Sequence, residues 1–330
     1  MIILTKTVLA MMIGFILSTI LGILLIPFLK KLKAGQRLSI YLEERHSSKS
    51  GTPTMGGLIF ILPTVITMVL LYVFGKITIS YNLLIILFTF VGYFLIGFID
   101  DYLIIKKNNN AGLSESAKLI LQTIIAITFF YLFMKAGNEP LLWIHTLNIK
   151  MDISWWYGIF ILLVLLASSN AVNITDGLDG LAGGLSLIAY IAFGLITWNT
   201  GWLEGYEEIA LFQFTLVGAL LGFLIFNVHP AKIFMGDTGS LCLGATLGSI
   251  AILTRHEILL ILIGIVFVCE TLSCVIQRFY YKLTKKRLFP MTPIHHTFEK
   301  LGWKEADIVK LFLIIGLIAS MISIGFGILL

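Results

Sequence analysis

The sequence predicts an all-α, polytopic integral membrane protein with about ten transmembrane helices, and three observations lead to this fold class. Hydrophobic residues make up 58% of the 330 residues, and charged residues only 12%. The mean hydropathy is +0.99. Apolar windows of about 18 to 22 residues, long enough to cross a bilayer as helices, recur along the whole chain. These properties exclude a soluble globular protein.

The predicted spans follow one another without room for a separate soluble domain, so we expect residues 1–330 to form a single transmembrane domain. The first span is too long for a signal peptide and lacks a small-residue cleavage site, so it should remain in the membrane. The three cysteines, Cys242, Cys269 and Cys274, lie in spans and are predicted to be inert core thiols. We place the spans at 7–29, 55–74, 82–99, 117–135, 155–173, 181–198, 207–226, 238–254, 257–277 and 309–330.

The distribution of basic residues predicts the orientation of the chain. Sixteen lysines and arginines fall on the odd-numbered connections and four on the even-numbered ones. Because basic loops stay on the cytoplasmic side, we expect the odd-numbered connections in the cytoplasm and both termini on the extracytoplasmic side. Topology and contact with membrane lipids then explain the net charge of +5. No motif indicates a nucleic-acid partner.

The dense polar motifs fall almost entirely on the predicted cytoplasmic connections. Loops carry chemistry while packed spans position them, so these motifs should form one composite site at the membrane surface. A substrate from water could meet a substrate from lipid there. The segments involved are approximately 30–57, 100–116, 170–184, 227–240 and 278–308.

Asp100 and Asp101 stand side by side at the end of the apolar run 83–99. Two carboxylates at a membrane rim repel each other and resist dehydration, so we expect a metal ion, a cationic partner or water beside them. A simple helix end is the alternative. The glycine-rich segment that follows Lys49 and includes Thr52 can hold phosphate or carbonyl oxygens at a helix start, or can be a flexible loop.

The run 170–179 places Asn170, Asn173, Asp176 and Asp179 at a strict spacing of three. In a helical segment such residues share a face, which predicts a polar stripe leaving the membrane. The stripe could hold a sugar, a nucleotide or a hydrated cation. A polar helix end with a glycine turn is the alternative.

Two later motifs add further candidates. Asp237 supplies a third carboxylate, or caps span eight. Phe234 could stack on a base or lie at the interface as a membrane aromatic. His295 and His296 follow the most basic loop. They lack the i, i+4 spacing of a helical zinc site, so we favour contact with phosphate, with a solvated loop as the alternative.

Carboxylates, basic donors and a glycine-rich approach indicate phosphoryl chemistry with Mg²⁺. The same motifs resemble, in order over essentially the whole chain, those of the bacterial phospho-N-acetylmuramoyl-pentapeptide transferase family. They are Gly-Thr-Pro-Thr-Met-Gly-Gly at 51–57, Phe-Ile-Asp-Asp-Tyr at 98–102, Asn-Ala-Val-Asn-Ile-Thr-Asp-Gly-Leu-Asp-Gly-Leu-Ala at 170–182, Phe-Met-Gly-Asp-Thr-Gly-Ser at 234–240 and Thr-Pro-Ile-His-His-Thr-Phe-Glu at 292–299.

The resemblance implies transfer of phospho-MurNAc-pentapeptide from UDP-MurNAc-pentapeptide to undecaprenyl phosphate, which gives lipid I and UMP and is the first membrane step of peptidoglycan synthesis. It also implies a site facing the cytoplasm at the bacterial cytoplasmic (inner) membrane, and we expect a homodimer. The residues that match the family's essential acids are Asp100, Asp101 and Asp237, with Mg²⁺ associated with Asp237.

By the same resemblance, one set of residues surrounds the nucleotide and the sugar, with Phe234 as the uracil platform. These residues are Lys49, Thr52, Asn173, Asp176, Asp179, Asn227 and Phe234. His295 and His296 match the first two positions of a triple-histidine motif, and Thr297 departs from the third.

For the mechanism, we favour Asp100 as the base that deprotonates the lipid phosphate, with Mg²⁺, the two histidines and Lys49 as electrostatic support. A covalent aspartyl-phosphate route is the alternative. Two other functions are open at this stage. One is a sister enzyme that moves another UDP-linked sugar phosphate. The other is a transporter, for which Glu270 inside span nine is the best indication.

Overall fold

The computed structural model of the protein describes residues 2–32, 51–107, 112–144 and 149–329, so Lys49 lies outside the described residues. These residues are predominantly helical, as predicted. The helices are α1 (Ile2–Lys31), α2 (Leu58–Val73), α3 (Tyr81–Lys107), α4 (Glu115–Lys135), α5 (Trp156–Thr175), α6 (Leu181–Trp198), α7 (Tyr206–Asn227), α8 (Gly236–Leu253), α9 (Glu257–Ile263), α10 (Ile265–Thr284), α11 (Ile294–Lys300) and α12 (Glu305–Leu329).

Within the described ranges, eight helices are long and apolar enough to cross a membrane, namely α1, α3, α4, α5, α6, α7, α8 and α12. The chain is therefore an all-α polytopic membrane protein. Helix α8 forms the centre, because it packs against α3 and α5. In its 18-residue apolar window, the stretch that could cross the membrane, 89% of the residues are buried. Helix α7 packs against α1, α2 and α6. The corresponding windows of α1, α4 and α12 are only 28% buried, which leaves these helices at the periphery.

Small residues allow α8 to lie at the centre. A Cβ atom on Gly244 would come within 2.2 Å of the Ser168 carbonyl oxygen of α5. On α3, a Cβ atom on Gly97 would come within 2.0 Å of the Asp237 carbonyl oxygen of α8. Close helix approach in membranes depends on such residues, because bulky side chains would separate the backbones. The contacts place the beginning of α8 directly against the end of α3.

Two predicted spans differ from simple membrane-crossing helices. Helix α2 has 16 residues, which corresponds to about 24 Å at 1.5 Å per residue, and it is shorter than a typical hydrocarbon core. The predicted span 257–277 is divided at Gly264 into α9 and α10, whose axes differ in direction by 83°. Helix α10 exposes many apolar side chains, including Cys269, so the prediction that all three cysteines are core thiols is wrong for this residue.

A short β-ribbon interrupts the predicted all-α pattern between α4 and α5. Strands β1 (Leu141–Ile144) and β2 (Ile149–Asp152) pair antiparallel. The Arg255 guanidinium, at the junction of α8 and α9, donates to the Leu141 carbonyl (2.8 Å) and the Glu139 carbonyl (2.6 Å). These bonds attach the ribbon to the helical bundle.

Candidate active site

The candidate site begins where two distant backbone segments meet. The Phe234 N–H donates to the Pro53 carbonyl (2.8 Å), and the Gly56 N–H donates to the Phe234 carbonyl (2.8 Å). A Cβ atom on Gly57 would lie 2.4 Å from the nitrogen of Gly239, in the first turn of α8. Here the glycine-rich segment holds carbonyl oxygens of its own chain, and its small residues let α2 begin against α8.

Asp101 supports the beginning of α8 from another helix. Its carboxylate accepts hydrogen bonds from the Asp237 N–H (3.2 Å), the Thr238 N–H (3.0 Å) and the Thr238 hydroxyl (2.6 Å), and the residue is 3% exposed. The first N–H groups of a helix lack partners within the helix, so Asp101 acts as their cap. Asp237 itself is the second residue of α8 and is not the N-cap, which is Met235.

Lys118 joins the other two carboxylates. Its ammonium nitrogen lies 3.0 Å from Asp100 Oδ2 and 2.7 Å from Asp237 Oδ2. The Leu113 N–H donates to Asp100 Oδ1 (2.6 Å), and Asp100 is 2% exposed. A cationic partner, one of the three alternatives expected for the acid pair, therefore lies beside Asp100. Lys118 is not among the predicted site residues, although a lysine at the beginning of the apolar span 117–135 is an unusual residue that signals a functional position.

Asn173 brings the end of α5 to the same place. Its side-chain amide donates to Asp237 Oδ1 (2.7 Å) and to the Ser240 hydroxyl (2.9 Å). Helix α5 ends at Thr175, so the predicted helical stripe does not continue to the two acids that follow. Asn170 is exposed, and its amide donates to a carbonyl of its own helix. Of the two helical residues in the stripe, only Asn173 bonds to the acids.

Asp176 lies in the turn after α5, close to the other acids. The residue is half-buried, but its carboxyl group is enclosed by protein. Burial raises the pKa of this carboxyl well above its usual range, and the carboxylates of Asp237, Asp101 and Asp179 raise it further, while the Gly236 N–H acts in the opposite direction. The turn thus stabilises the protonated form of Asp176, and a cation bound nearby would favour ionisation.

Asp179 holds three segments together. Its Oδ2 accepts the Ala231 N–H (3.0 Å) and lies 3.0 Å from His229 Nδ1. Its own N–H donates to Glu305 Oε1 at the beginning of α12 (2.7 Å). Asp179, His229 and Glu305 place one ligand atom each within 4.8 Å of one another, so they form a second group that could hold a cation.

Asn227 is 2% exposed and bonds to the main chain. It accepts the Gly180 N–H (3.1 Å) and donates to the Ile233 carbonyl (2.9 Å), which fixes the loop that leads to Phe234. Phe234 and Thr52 are half-buried. The structure therefore places Asn227 beneath the loop and keeps part of Phe234 and Thr52 accessible.

The two histidines lie on the short helix α11, each beside a carboxylate. His295 Nδ1 lies 3.1 Å from Glu270 Oε2, and His296 Nδ1 pairs with Glu299 Oε2. The two imidazole rings are 4.1 Å apart and nearly edge to face. A Cβ atom on Gly177 would lie 2.4 Å from His295 Nε2, so His295 contacts the turn between the acids that follow α5.

Comparison with known proteins identifies the family. Residues 83–255 match the glycosyl transferase family 4 profile, and residues 49–61 match phospho-N-acetylmuramoyl-pentapeptide-transferase signature 1. A phospho-N-acetylmuramoyl-pentapeptide-transferase of Geobacillus thermodenitrificans is 44% identical over 318 residues, which cover 96% of each chain. The Bacillus subtilis protein of the same name is 45% identical over 312 residues, 94% of each chain. The chain belongs to the phospho-N-acetylmuramoyl-pentapeptide transferase family.

Membership of this transferase family confirms the resemblance found in the motifs and argues against the transporter. Glu270, the acid that suggested transport, lies beside His295. The predicted acids Asp100, Asp101 and Asp237 form one cluster with Asn173. The remaining predicted site residues in the described part of the chain lie on the adjoining turns, at the end of α7 and on α11, and their roles toward substrates stay predictions.

Proposed function

We propose that the chain transfers phospho-MurNAc-pentapeptide from UDP-MurNAc-pentapeptide to undecaprenyl phosphate, giving lipid I and UMP. The observation that carries this proposal is the cluster of Asp100, Asp101 and Asp237, whose ligand atoms lie within 4.8 Å of one another at the meeting point of α3, α4, α5 and α8. Such a cluster suits a reaction whose main requirements are alignment and charge neutralisation. The names of the relatives support the choice of substrates.

The proposed location is a bacterial cytoplasmic membrane, with the cluster facing the cytoplasm and both termini outside. The bias of basic residues toward the odd-numbered connections supports this orientation. In this arrangement the water-soluble UDP-linked substrate reaches the cluster from the cytoplasm, while the lipid phosphate reaches it from the membrane. The composite cytoplasmic site and the homodimer are parts of the same proposal.

The carboxylate cluster fits a divalent cation. All of the atoms that could bind a metal ion here are carboxylate oxygens, which Mg²⁺ prefers. The ammonium group of Lys118 shows that a positive charge is accommodated between two of the carboxylates. We propose that Asp237 holds Mg²⁺ and that Asp100 lies beside it. The ion would neutralise charge on the diphosphate of the substrate.

The protein's own residues then have distinct tasks. Asp100 accepts a proton from the lipid phosphate, which is already a competent nucleophile once deprotonated. Lys118 offsets the charge of Asp100 and Asp237, and Asp101 keeps Asp237 in place through the first turn of α8. His295 and His296 are assigned electrostatic support of the diphosphate. The covalent aspartyl-phosphate route stays the alternative mechanism.

The nucleotide and the sugar are assigned to the turns beside the cluster. Phe234 would stack on the uracil, since this residue is only half-buried and lies three positions before Asp237. The residues proposed to surround the substrate with it are Lys49, Thr52, Asn173, Asp176, Asp179 and Asn227. Asn227 acts through the loop that it holds, because its amide is occupied by main-chain groups.

The deciding experiment uses the purified full-length chain in detergent with undecaprenyl phosphate. Parallel reactions receive UDP-MurNAc-pentapeptide or UDP-GlcNAc, and released UMP is measured. We expect release only with the first donor, loss of release in EDTA and recovery with Mg²⁺. Release with UDP-GlcNAc alone would identify the sister enzyme, and full turnover in EDTA would remove the metal from the mechanism.

A matched pair of variants tests the role of the cluster. Asp237→Asn should reduce kcat far more than substrate affinity, because charge neutralisation matters most in the transition state. Asp307→Asn, which changes an acid with 55% side-chain exposure on α12, should behave like the unmodified chain. Exchange of labelled UMP into the donor without any lipid acceptor would favour the covalent route over the base role of Asp100.

A further inference from the structure

Glu270 is a buried acid in α10, a helix whose later turns are largely exposed. It lies six positions after Gly264, where the ninth span bends, and its exposure is 0%. Apolar residues in the following turns, such as Leu272 and Val275, are 48% and 55% exposed. A carboxylate hidden in a membrane protein is unfavourable unless a cation or hydrogen-bond donors compensate it. The partner of Glu270 therefore indicates its task.

That partner is His295. Glu270 Oε2 lies 3.1 Å from His295 Nδ1 and 3.4 Å from the main-chain nitrogen of His295, which is also 0% exposed. The second oxygen of Glu270 has no hydrogen-bond partner among the described residues. The imidazole is therefore the polar group that faces the buried carboxylate, and this contact fixes the orientation of the ring.

The opposite edge of the imidazole faces the candidate site. His295 Nε2 has no acceptor in the described part of the chain, and Gly177 lies directly against it. Any side chain at position 177 would collide with the ring, since even a Cβ atom would come within 2.4 Å of Nε2. Gly177 connects Asp176 to the rest of the acidic turn. The other titratable groups at the ring are His296 and its partner Glu299.

We propose that Glu270 is a positioning residue of the transferase site. It fixes the His295 imidazole beneath Gly177, and the imidazole in turn sets the position of Asp176 and Asp179. This inference rests on the proposed function for its effect on turnover. Glu270 would thus contribute to substrate binding through His295, although the Glu270 carboxylate itself is not exposed to substrate.

The kinetic test compares Glu270→Gln with Glu257→Gln. Glu257 is the matched control, because it is a buried acid of the same broken span and accepts the Tyr157 hydroxyl (2.7 Å) away from the acids of the site. We expect Glu270→Gln to raise the KM for UDP-MurNAc-pentapeptide about tenfold, the range for residues that orient a functional group. Its kcat should change much less than its KM. Equal behaviour of the two variants would overturn the proposal.

A spectroscopic test does not depend on turnover. In ¹⁵N-histidine-labelled protein, with His295→Gln used to assign the signal, we expect one sharp ring signal of His295 in the unmodified chain and a shifted or broadened signal in Glu270→Gln, because the ring loses its partner. Glu270→Asp, which keeps a carboxylate, should retain a sharp signal if Glu270→Gln does not fold. A ring signal that Glu270→Gln leaves unchanged would overturn the inference. Absence of UMP release with a ring signal that responds to Glu270→Gln would instead contradict the proposed function alone.

Discussion

At the scale of single residues, the two neighbouring acids at the end of α3 have different surroundings. Successive residues of a helix point about 100° apart, so Asp100 and Asp101 face different partners. Asp101 is occupied by the first turn of α8, whereas Asp100 shares Lys118 with Asp237. The sequence could predict that the acids matter, but their partners lie at least 13 positions away and are brought close only by packing.

The lysine between the carboxylates should be essential for turnover. Lys118→Met leaves Asp100 and Asp237 without their cationic partner and should lower the rate of UMP release by about 10²–10³-fold, the range for loss of one electrostatic group in an active site. Lys135→Met, at the exposed end of the same helix, is the control and should keep the rate. A Lys118→Met enzyme with normal turnover would contradict the assignment.

The contact between Asp101 and Thr238 should be measurable as a coupling free energy in a double-mutant cycle. Asp101→Asn and Thr238→Val each remove part of the same contact, so each should lower thermal stability by about 1–3 kcal/mol, and the double variant should lose less than the sum. Thr246→Val is the control, because its hydroxyl donates to the Cys242 carbonyl within α8, away from Asp101. Thermal unfolding in detergent gives the values. Strict additivity of Asp101→Asn and Thr238→Val would show that the contact contributes nothing.

At the scale of elements, the hydrophobic pattern predicted where most helices lie but not how they end or bend. Helix α3 continues to Lys107, beyond the predicted end at 99, because Lys118 and α8 compensate its acids. The bend at Gly264 and the β-ribbon were missed. Hydropathy reports the apolar length of a segment, and it carries no information about the direction of the chain or about main-chain pairing.

Two glycines of α3 should respond differently to the same substitution. Gly97→Ala would place a methyl group 2.0 Å from the Asp237 carbonyl oxygen, a main-chain atom that cannot yield without moving α8. We expect loss of most UMP release and a lower midpoint of thermal unfolding. The methyl group of Gly92→Ala would lie nearest to the Ile125 side chain, whose terminal Cδ1 atom, at 2.9 Å, can move aside, so this substitution should be tolerated. Similar effects of both substitutions would show that the contact between α3 and α8 is not limiting.

At the scale of the whole molecule, the motifs predicted that distant segments form one site, and the described contacts support this for several of them. The glycine-rich segment touches the segment of Phe234, and Asn173 reaches Asp237. Periodicity could not have identified Glu305 or Lys118 as neighbours of these motifs, since their positions depend on how α12 and α4 pack. The orientation in the membrane stays a prediction.

Accessibility of introduced cysteines tests that orientation. In a background without Cys269 and Cys274, Arg287→Cys should react with an impermeant reagent only from the cytoplasm, because it lies in the most basic connection. Gly201→Cys, on the turn between α6 and α7, has open space around its Cβ position and should react only from outside. The buried Cys242 should stay unlabelled and serves as the control. Reaction of Arg287→Cys from outside would reverse the proposed topology.

The central position of α8 has a consequence for biosynthesis. Among the eight spanning helices described, α8 has the lowest window hydropathy, 1.2, and its first turn depends on a carboxylate of α3. Such a segment partitions weakly from the translocon into lipid by itself. Its partners α3 and α5 both precede it in the chain, so they are already in the bilayer when α8 leaves the ribosome. The order of the helices in the chain is therefore also the order in which they can assemble. A circular permutant in which α8 is translated first should insert poorly.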